Sequence, residues 1–157
     1  LGHGLPFAAG KAMAAKLRGQ PWKNYVLLGD GEMDEGSNWE ALMFAAHHRL
    51  DNLVAIIDCN NLQSLDTVRA TLNIEPLDQK LAAFGCRVFE ADGHDHQALD
   101  QALLAIAEVR GQPSVLIART VKGKGVSFME NSVDWHYRSP DKQQLRQALE
   151  ELGVQHA

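Results

Sequence analysis

Cysteine is scarce. Cys59 and Cys86 are the two in 157 residues, and no CxxC spacing joins them. A disulfide scaffold or a cysteine-based metal site is therefore not expected, and two reduced, buried thiols of a cytoplasmic protein are. No apolar run approaches the roughly 18 residues that a membrane span needs, and no secretory leader is visible. The chain opens at Leu1-Gly2-His3 without a methionine, which reads as an N-terminal truncation, so the missing leader excludes little. Positive charge is not in excess: the net charge is −5, which argues against nonspecific nucleic-acid binding. Internal repeats, low-complexity tracts and breaks in composition are absent. A single domain over residues 1–157 with a sizeable core follows. GxGxxG and the P-loop are missing too, which argues against a generic nucleotide-binding domain.

What is present is an alternation of strand-like and helix-like segments. Tyr25 to Leu28, Leu53 to Asp58, Cys86 to Ala91 and Pro113 to Ala118 are short apolar runs and read as buried strands. Between them, helices are expected over Pro6 to Leu17, Glu35 to Leu50, Pro76 to Phe84 (closed by Gly85) and Asp95 to Val109. Trp39, Leu42, Met43 and Ala46 share a face of the second helix, with Met43 and Phe44 in the core. Leu99, Ala102, Leu103 and Ile106 face the core from the fourth. Asn60 to Glu75 and Thr120 to Ser139 read as loops. Ser139 is expected to cap a last helix with Pro140 at its first position and Leu145, Leu149 and Leu152 inward. Continuous apolar strands separated by helices imply an α/β fold: three layers, a mostly parallel sheet with helices on both faces. Ligands of such sheets sit beyond the carboxyl ends of the strands.

Polar residues cluster at those ends. The first strand runs into Gly29-Asp30-Gly31-Glu32 just before a helix, a turn where glycines let main-chain N–H groups approach a phosphate. The second runs into Asp58-Cys59-Asn60-Asn61-Leu62. Neighbouring parallel strands would bring Asp30 and Asn60 to one edge. A carboxylate, an amide oxygen and a main-chain carbonyl make a hard oxygen half-shell that magnesium completes with phosphate oxygens and water.

The GDGE turn, followed thirty residues after Asp30 by Asn60-Asn61 in a strand–loop context, resembles the fingerprint of thiamin-diphosphate enzymes. More specifically, the chain resembles the N-terminal half, or separate N-terminal subunit, of transketolase. The likeness spans nearly all residues and rests also on Leu1-Gly2-His3-Gly4-Leu5-Pro6, Glu35-Gly36-Ser37 with Trp39-Glu40, Leu50-Asp51-Asn52-Leu53, Asp92-Gly93-His94-Asp95, Thr120-Val121-Lys122-Gly123-Lys124-Gly125 and Trp135-His136. The resemblance implies that Asp30, the Asn60 side chain and the Leu62 carbonyl bind Mg2+. It implies that Gly29, Gly31 and Glu32 belong to the cofactor turn, with the Gly31 amide on the diphosphate. His136 would lie near diphosphate and sugar, and Lys122 at the same entrance. Glu35 and Glu40 would be buried carboxylates at a dimer interface.

Other readings stand beside these. Glu35 and Glu40 also suit a first helical turn, Lys122 and Lys124 a solvated loop, and His136 a packing role. His94 and Asp95 fit a helix cap better than a catalytic pair, and His47 and His48 a helix surface. Tyr137 stands where the family usually has glycine, Arg138 where lysine is common, and the loop after Asn60 is not the commonest version. The resemblance implies transfer of a two-carbon ketol unit between sugar phosphates, as in the pentose phosphate pathway. It requires a C-terminal partner subunit that binds the pyrimidine, in a homodimer or heterotetramer. The chain alone is expected to be inactive. The related synthase that joins pyruvate to glyceraldehyde phosphate, and a noncatalytic partner-binding subunit, are the alternatives.

Overall fold

The four apolar runs are strands: β1 (Asn24–Gly29), β2 (Leu53–Cys59), β3 (Arg87–Asp92) and β4 (Ser114–Arg119). In the computed structural model, which describes residues 1–154, they pair in parallel in the order β1-β2-β4-β3. β2 and β4 are central and buried on both faces, which is why their sequences are nearly continuous apolar runs.

Alternation along the strands divides the core in two. Leu28, Leu53, Ala55, Ile57, Val115 and Ile117 face α1 (Gly4–Leu17), α2 (Gly36–His47) and α4 (Leu77–Ala83). Val54, Ile56, Leu116 and Phe89 face α5 (His96–Ala107) through Leu99, Ala102, Leu103 and Ile106. The expected three layers are therefore present. Alanines 8, 9 and 12 let α1 sit close to the sheet. α5 lies over β3 and β4, so Tyr25 and Leu27 on the same face of β1 are 55% and 70% exposed. Among the described residues no helix is long and apolar enough to cross a membrane.

Several expectations need correction. α2 is shorter than Glu35–Leu50, and Met43 and Phe44 are exposed rather than core. Ala41, Leu42 and Ala45 fill its inward stripe, and Met43 and Phe44 lie roughly 100° and 200° beyond Leu42 at 3.6 residues per turn. The loop after Asn60 contains a short helix, α3 (Val68–Thr71), capped by Thr67, whose hydroxyl accepts from Ala70 N at 3.1 Å. The last helix, α6 (Lys142–Glu151), is capped by Asp141, not Ser139. Asp141 Oδ1 accepts from the Gln143 and Gln144 amides, each at 2.8 Å, and Gln144 Oε1 accepts from Asp141 N at 3.0 Å. This reciprocal box satisfies amide donors that proline and serine two residues earlier cannot reach. Its buried contact is Ala148, while Leu145 and Leu152 stay half-exposed. Asp141→Ala is expected to cost about 1 kcal/mol. The loss is to be read as a lower denaturation midpoint and reduced helical circular dichroism.

Candidate cofactor-anchoring site

Pairing of β1 with β2 sets Gly29 opposite Asp58, and Asp30 N donates to Asp58 O at 3.1 Å. The ladder thus continues one step past the strand and carries Asp30 to the edge where Asn60 emerges. A single 3-10 turn, Gly31–Asp34, links Asp30 to α2. Asp30 is 2% exposed. Its carboxylate accepts from Gly31 N at 2.8 Å and from Asn61 N at 2.6 Å, so the two strand ends are fastened through this one side chain. Asn61 sits at φ +63°, a left-handed conformation that asparagine tolerates better than most residues. Asn60 Oδ1 accepts from Leu62 N at 3.0 Å, and Leu62 pairs with Thr67 to close the loop.

The charge balance of this corner is incomplete. Burial pushes the Asp30 carboxyl above its ordinary range, against the two amide donors that favour the ionised form, and the neighbouring Asp58 pushes it further. No cationic side chain pairs with Asp30 among the described residues. The nearby Arg119 is engaged elsewhere: Nε with Glu90 at 2.8 Å, and Nη1 with Glu75 at 3.3 Å and with Cys59 Sγ at 3.1 Å. A buried carboxylate beside a second one is costly unless a cation arrives. No cluster of three His, Cys, Asp or Glu side chains is arranged to hold a metal among the described residues. A hard cation here must draw on amide and main-chain oxygens, as an Asp30–Asn60–Leu62 set would supply. Cys59 and Cys86 are free and buried. Burial raises them to about 11 and about 12, so neither is a nucleophile near neutral pH.

A cleft of about 660 Å³ opens beside Asp30, between Cys59, Asn61, Arg69, Asn73 and Glu75. At Gly31 a Cβ would fall 2.8 Å from Gln63 Cβ, so the close turn demands glycine. The Gly31 amide, expected on a diphosphate, here points at Asp30 Oδ1. Glu32 Oε1 accepts from Gly2 N at 2.9 Å, tying the N-terminal glycine segment to the same turn. Gly2 has φ +73°, and a Cβ there would lie 2.6 Å from Ser37 Oγ. Glu35 precedes α2 as its N-cap residue, so it does not stand in the first turn. Glu35 and Glu40 are exposed on this chain, Glu40 on a shallow hollow with Pro6, Ala9 and Phe44.

Lys122 and His136 stand on the segment leaving β4. Lys122 is half-buried and its carbonyl accepts from Asn131 N at 3.0 Å. His136 ends an exposed turn, its ring edge-on to Tyr137 at 4.7 Å. Among the described residues no hydrogen bond joins either to Asp30 or Asn60. Asp95 caps α5 through Gln97 N and Ala98 N, as expected of a helix cap. Sequence reasoning passed over Asp58, Arg119 and Thr120, which meet here: the Thr120 hydroxyl donates to Asp58 Oδ1, and Thr120 N donates to Cys59 O at 3.2 Å. Their signal was available, since each is polar at the carboxyl end of an apolar run.

Known proteins carry the same arrangement. The family described as "Transketolase, thiamine diphosphate binding domain" matches residues 1–157. One of the two subunits of the apulose-4-phosphate transketolase of Actinobacillus succinogenes is 48% identical over 152 residues, covering 97% of this chain and 55% of that protein. Human transketolase is 36% identical over 156 residues, covering 99% of this chain and 25% of that protein. The crystal structure of transketolase from Campylobacter jejuni superposes with a TM-score of 0.92 at 32% identity, covering 98% of this chain and 25% of that one. The chain thus spans about half the length of the Actinobacillus relative. With the fold, the strand-end turn and the full-length match in agreement, the chain belongs to the transketolase family, of which it is a thiamine-diphosphate-binding domain.

Proposed function

We propose that this domain anchors the charged end of thiamine diphosphate through magnesium, with Asp30, the Asn60 side-chain oxygen and the Leu62 carbonyl as the protein's ligands. The observation that carries this reading is the buried Asp30 carboxylate, set beside Asp58 and unpaired with any cation among the described residues. Oxygen donors of this kind and number leave room for diphosphate oxygens and water in an octahedral shell. The Gly29–Glu32 turn shapes the pocket floor. Lys122 and His136 face the sugar phosphate from the β4 side.

The bound cofactor would supply a nucleophilic thiazolium carbon for moving a two-carbon ketol unit between sugar phosphates. The chain's own part is to bind, orient and neutralise charge. The pyrimidine side comes from a separate partner chain. The Actinobacillus relative supports that reading, since its name makes it one component of a divided transketolase. In that assembly Glu35 and Glu40, exposed here, become interface carboxylates, and the enzyme works in the cytoplasm.

The test is ketol transfer by the full-length protein with and without its partner chain, thiamine diphosphate and magnesium. Transfer is expected only with all four present. If an assembly forms but transfers nothing and binds no cofactor, a noncatalytic, partner-binding role is the better reading.

A further inference from the structure

We propose that His94 is a positioning residue: its neutral imidazole holds the Val121 main chain and thereby fixes the entry of the loop that carries Lys122. The inference rests on the proposed role of Lys122 at the substrate entrance.

The bond itself is short and specific. Val121 N donates to His94 Nε2 at 2.7 Å. A main-chain N–H can only donate, so Nε2 accepts and the ring proton sits on Nδ1. The turn that presents the ring is rigid. Asp92 Oδ1 accepts from His94 N at 2.8 Å, and Gly93 N donates to Arg119 O at 2.7 Å. A Cβ on Gly93 would meet the Thr120 methyl and lie 3.0 Å from Arg119 O. The exits of β3 and β4 are therefore in direct contact. Capping does not account for the histidine, because Asp95 caps α5.

Val121 is the point where the sheet's hold ends. Thr120 is still held by Cys59 O and Asp58, but the Val121 amide has His94 as its partner. Beyond it the loop closes on itself: Lys124 N donates to Val121 O at 3.2 Å and Asn131 N to Lys122 O at 3.0 Å. A Cβ on Gly123 would come 2.7 Å from the Met129 main chain. On the far side Ser127 is anchored by the Glu151 carboxylate, N at 2.6 Å and Oγ at 2.7 Å. The loop is thus a closed unit with an outside attachment at each side, and His94 is the one at its entry. Glu90, Asp92, Arg119 and Lys124 line the same cleft of about 550 Å³. An uncharged acceptor suits this place: a carboxylate there would attract Lys122 and Lys124 and compete with substrate for them.

The experiment compares His94→Ala and His94→Gln with wild type in the full-length protein assembled with its partner. It reads amide hydrogen exchange over residues 119–125, kcat and KM for the sugar phosphate, and magnesium-dependent affinity for thiamine diphosphate. In His94→Ala, exchange at Val121 should accelerate about tenfold, the worth of one hydrogen bond. KM should rise, with the cofactor affinity set at Asp30 unchanged. The Gln side-chain oxygen should restore most of the protection. Unchanged exchange in His94→Ala overturns the proposal, as does faster exchange with unaltered KM. If wild type transfers no ketol unit, the functional reading has failed, while the exchange data still decide whether His94 fixes the loop.

Discussion

Asp30→Ala is expected to abolish magnesium-dependent binding of thiamine diphosphate, with an affinity loss on the order of a hundredfold or more. Altering groups that merely orient metal ligands costs about 10–100-fold, and this change removes the only anionic ligand in the proposed set. It also leaves the Gly31 and Asn61 amides without the acceptors they use at 2.8 and 2.6 Å, which loosens the join between the β1 and β2 ends. Titration calorimetry on the full-length protein with its partner, with and without magnesium, reads the effect directly. Unaltered affinity in the variant would remove Asp30 from the site.

A pH dependence accompanies this. The folded state raises the Asp30 carboxyl above its ordinary value of 3.8, so it holds the proton more tightly than the unfolded chain does. This group's contribution to the stability of the metal-free protein therefore falls as pH rises from about 3.8 through the raised value. A cation favours the ionised carboxylate, so the stabilisation gained from magnesium and cofactor should grow across that same window. Asp30→Ala should flatten both trends in thermal denaturation scans.

Gly93→Ala is expected to destabilise the domain by about 1–3 kcal/mol, the usual range for forcing an extra carbon into a filled space. The added methyl would meet the Thr120 side chain and, at 3.0 Å, the Arg119 carbonyl oxygen. That carbonyl is held in place because it accepts from Gly93 N. Thr120→Ser removes the obstructing methyl but keeps the hydroxyl that donates to Asp58. The Gly93→Ala/Thr120→Ser pair should therefore recover part of the loss, an interaction visible in a double-mutant cycle of denaturant midpoints. Additive effects would show that the two side chains are not in conflict.

The sheet was legible in the sequence because its central strands are buried on both faces, so Leu53–Asp58 and Pro113–Ala118 carry the signal in consecutive apolar residues. The Asp30–Asn60 corner was legible for a related reason: glycine and polar residues interrupt those runs abruptly at the end where parallel sheets present their ligands. Met43 and Phe44 misled, because an apolar side chain reads the same whether it faces the core or an outer surface. Ser139-Pro140 misled because it looks like a helix start, while Asp141 with Gln144 makes the stronger reciprocal cap. Bonds such as His94 to Val121 and Thr120 to Asp58 were not legible. They join segments 27 and 62 residues apart, and nothing local in either segment reports its partner.

The strand order also bears on how the molecule is put together. β1 and β2 pair residues such as Val26 and Ala55, whereas β2 meets β4 at Val54 and Ser114, about twice as far along the chain. Closing the longer loop costs more entropy before any contact repays it. As the chain emerges in order, the β1–β2 corner with Asp30 and Asn61 is within reach first. β3 must wait for β4 to be inserted beside it, since β4 separates it from β2. The metal half of the pocket and the Lys122 half are thus expected to mature at different times, and the late one depends on the central strand that joins them.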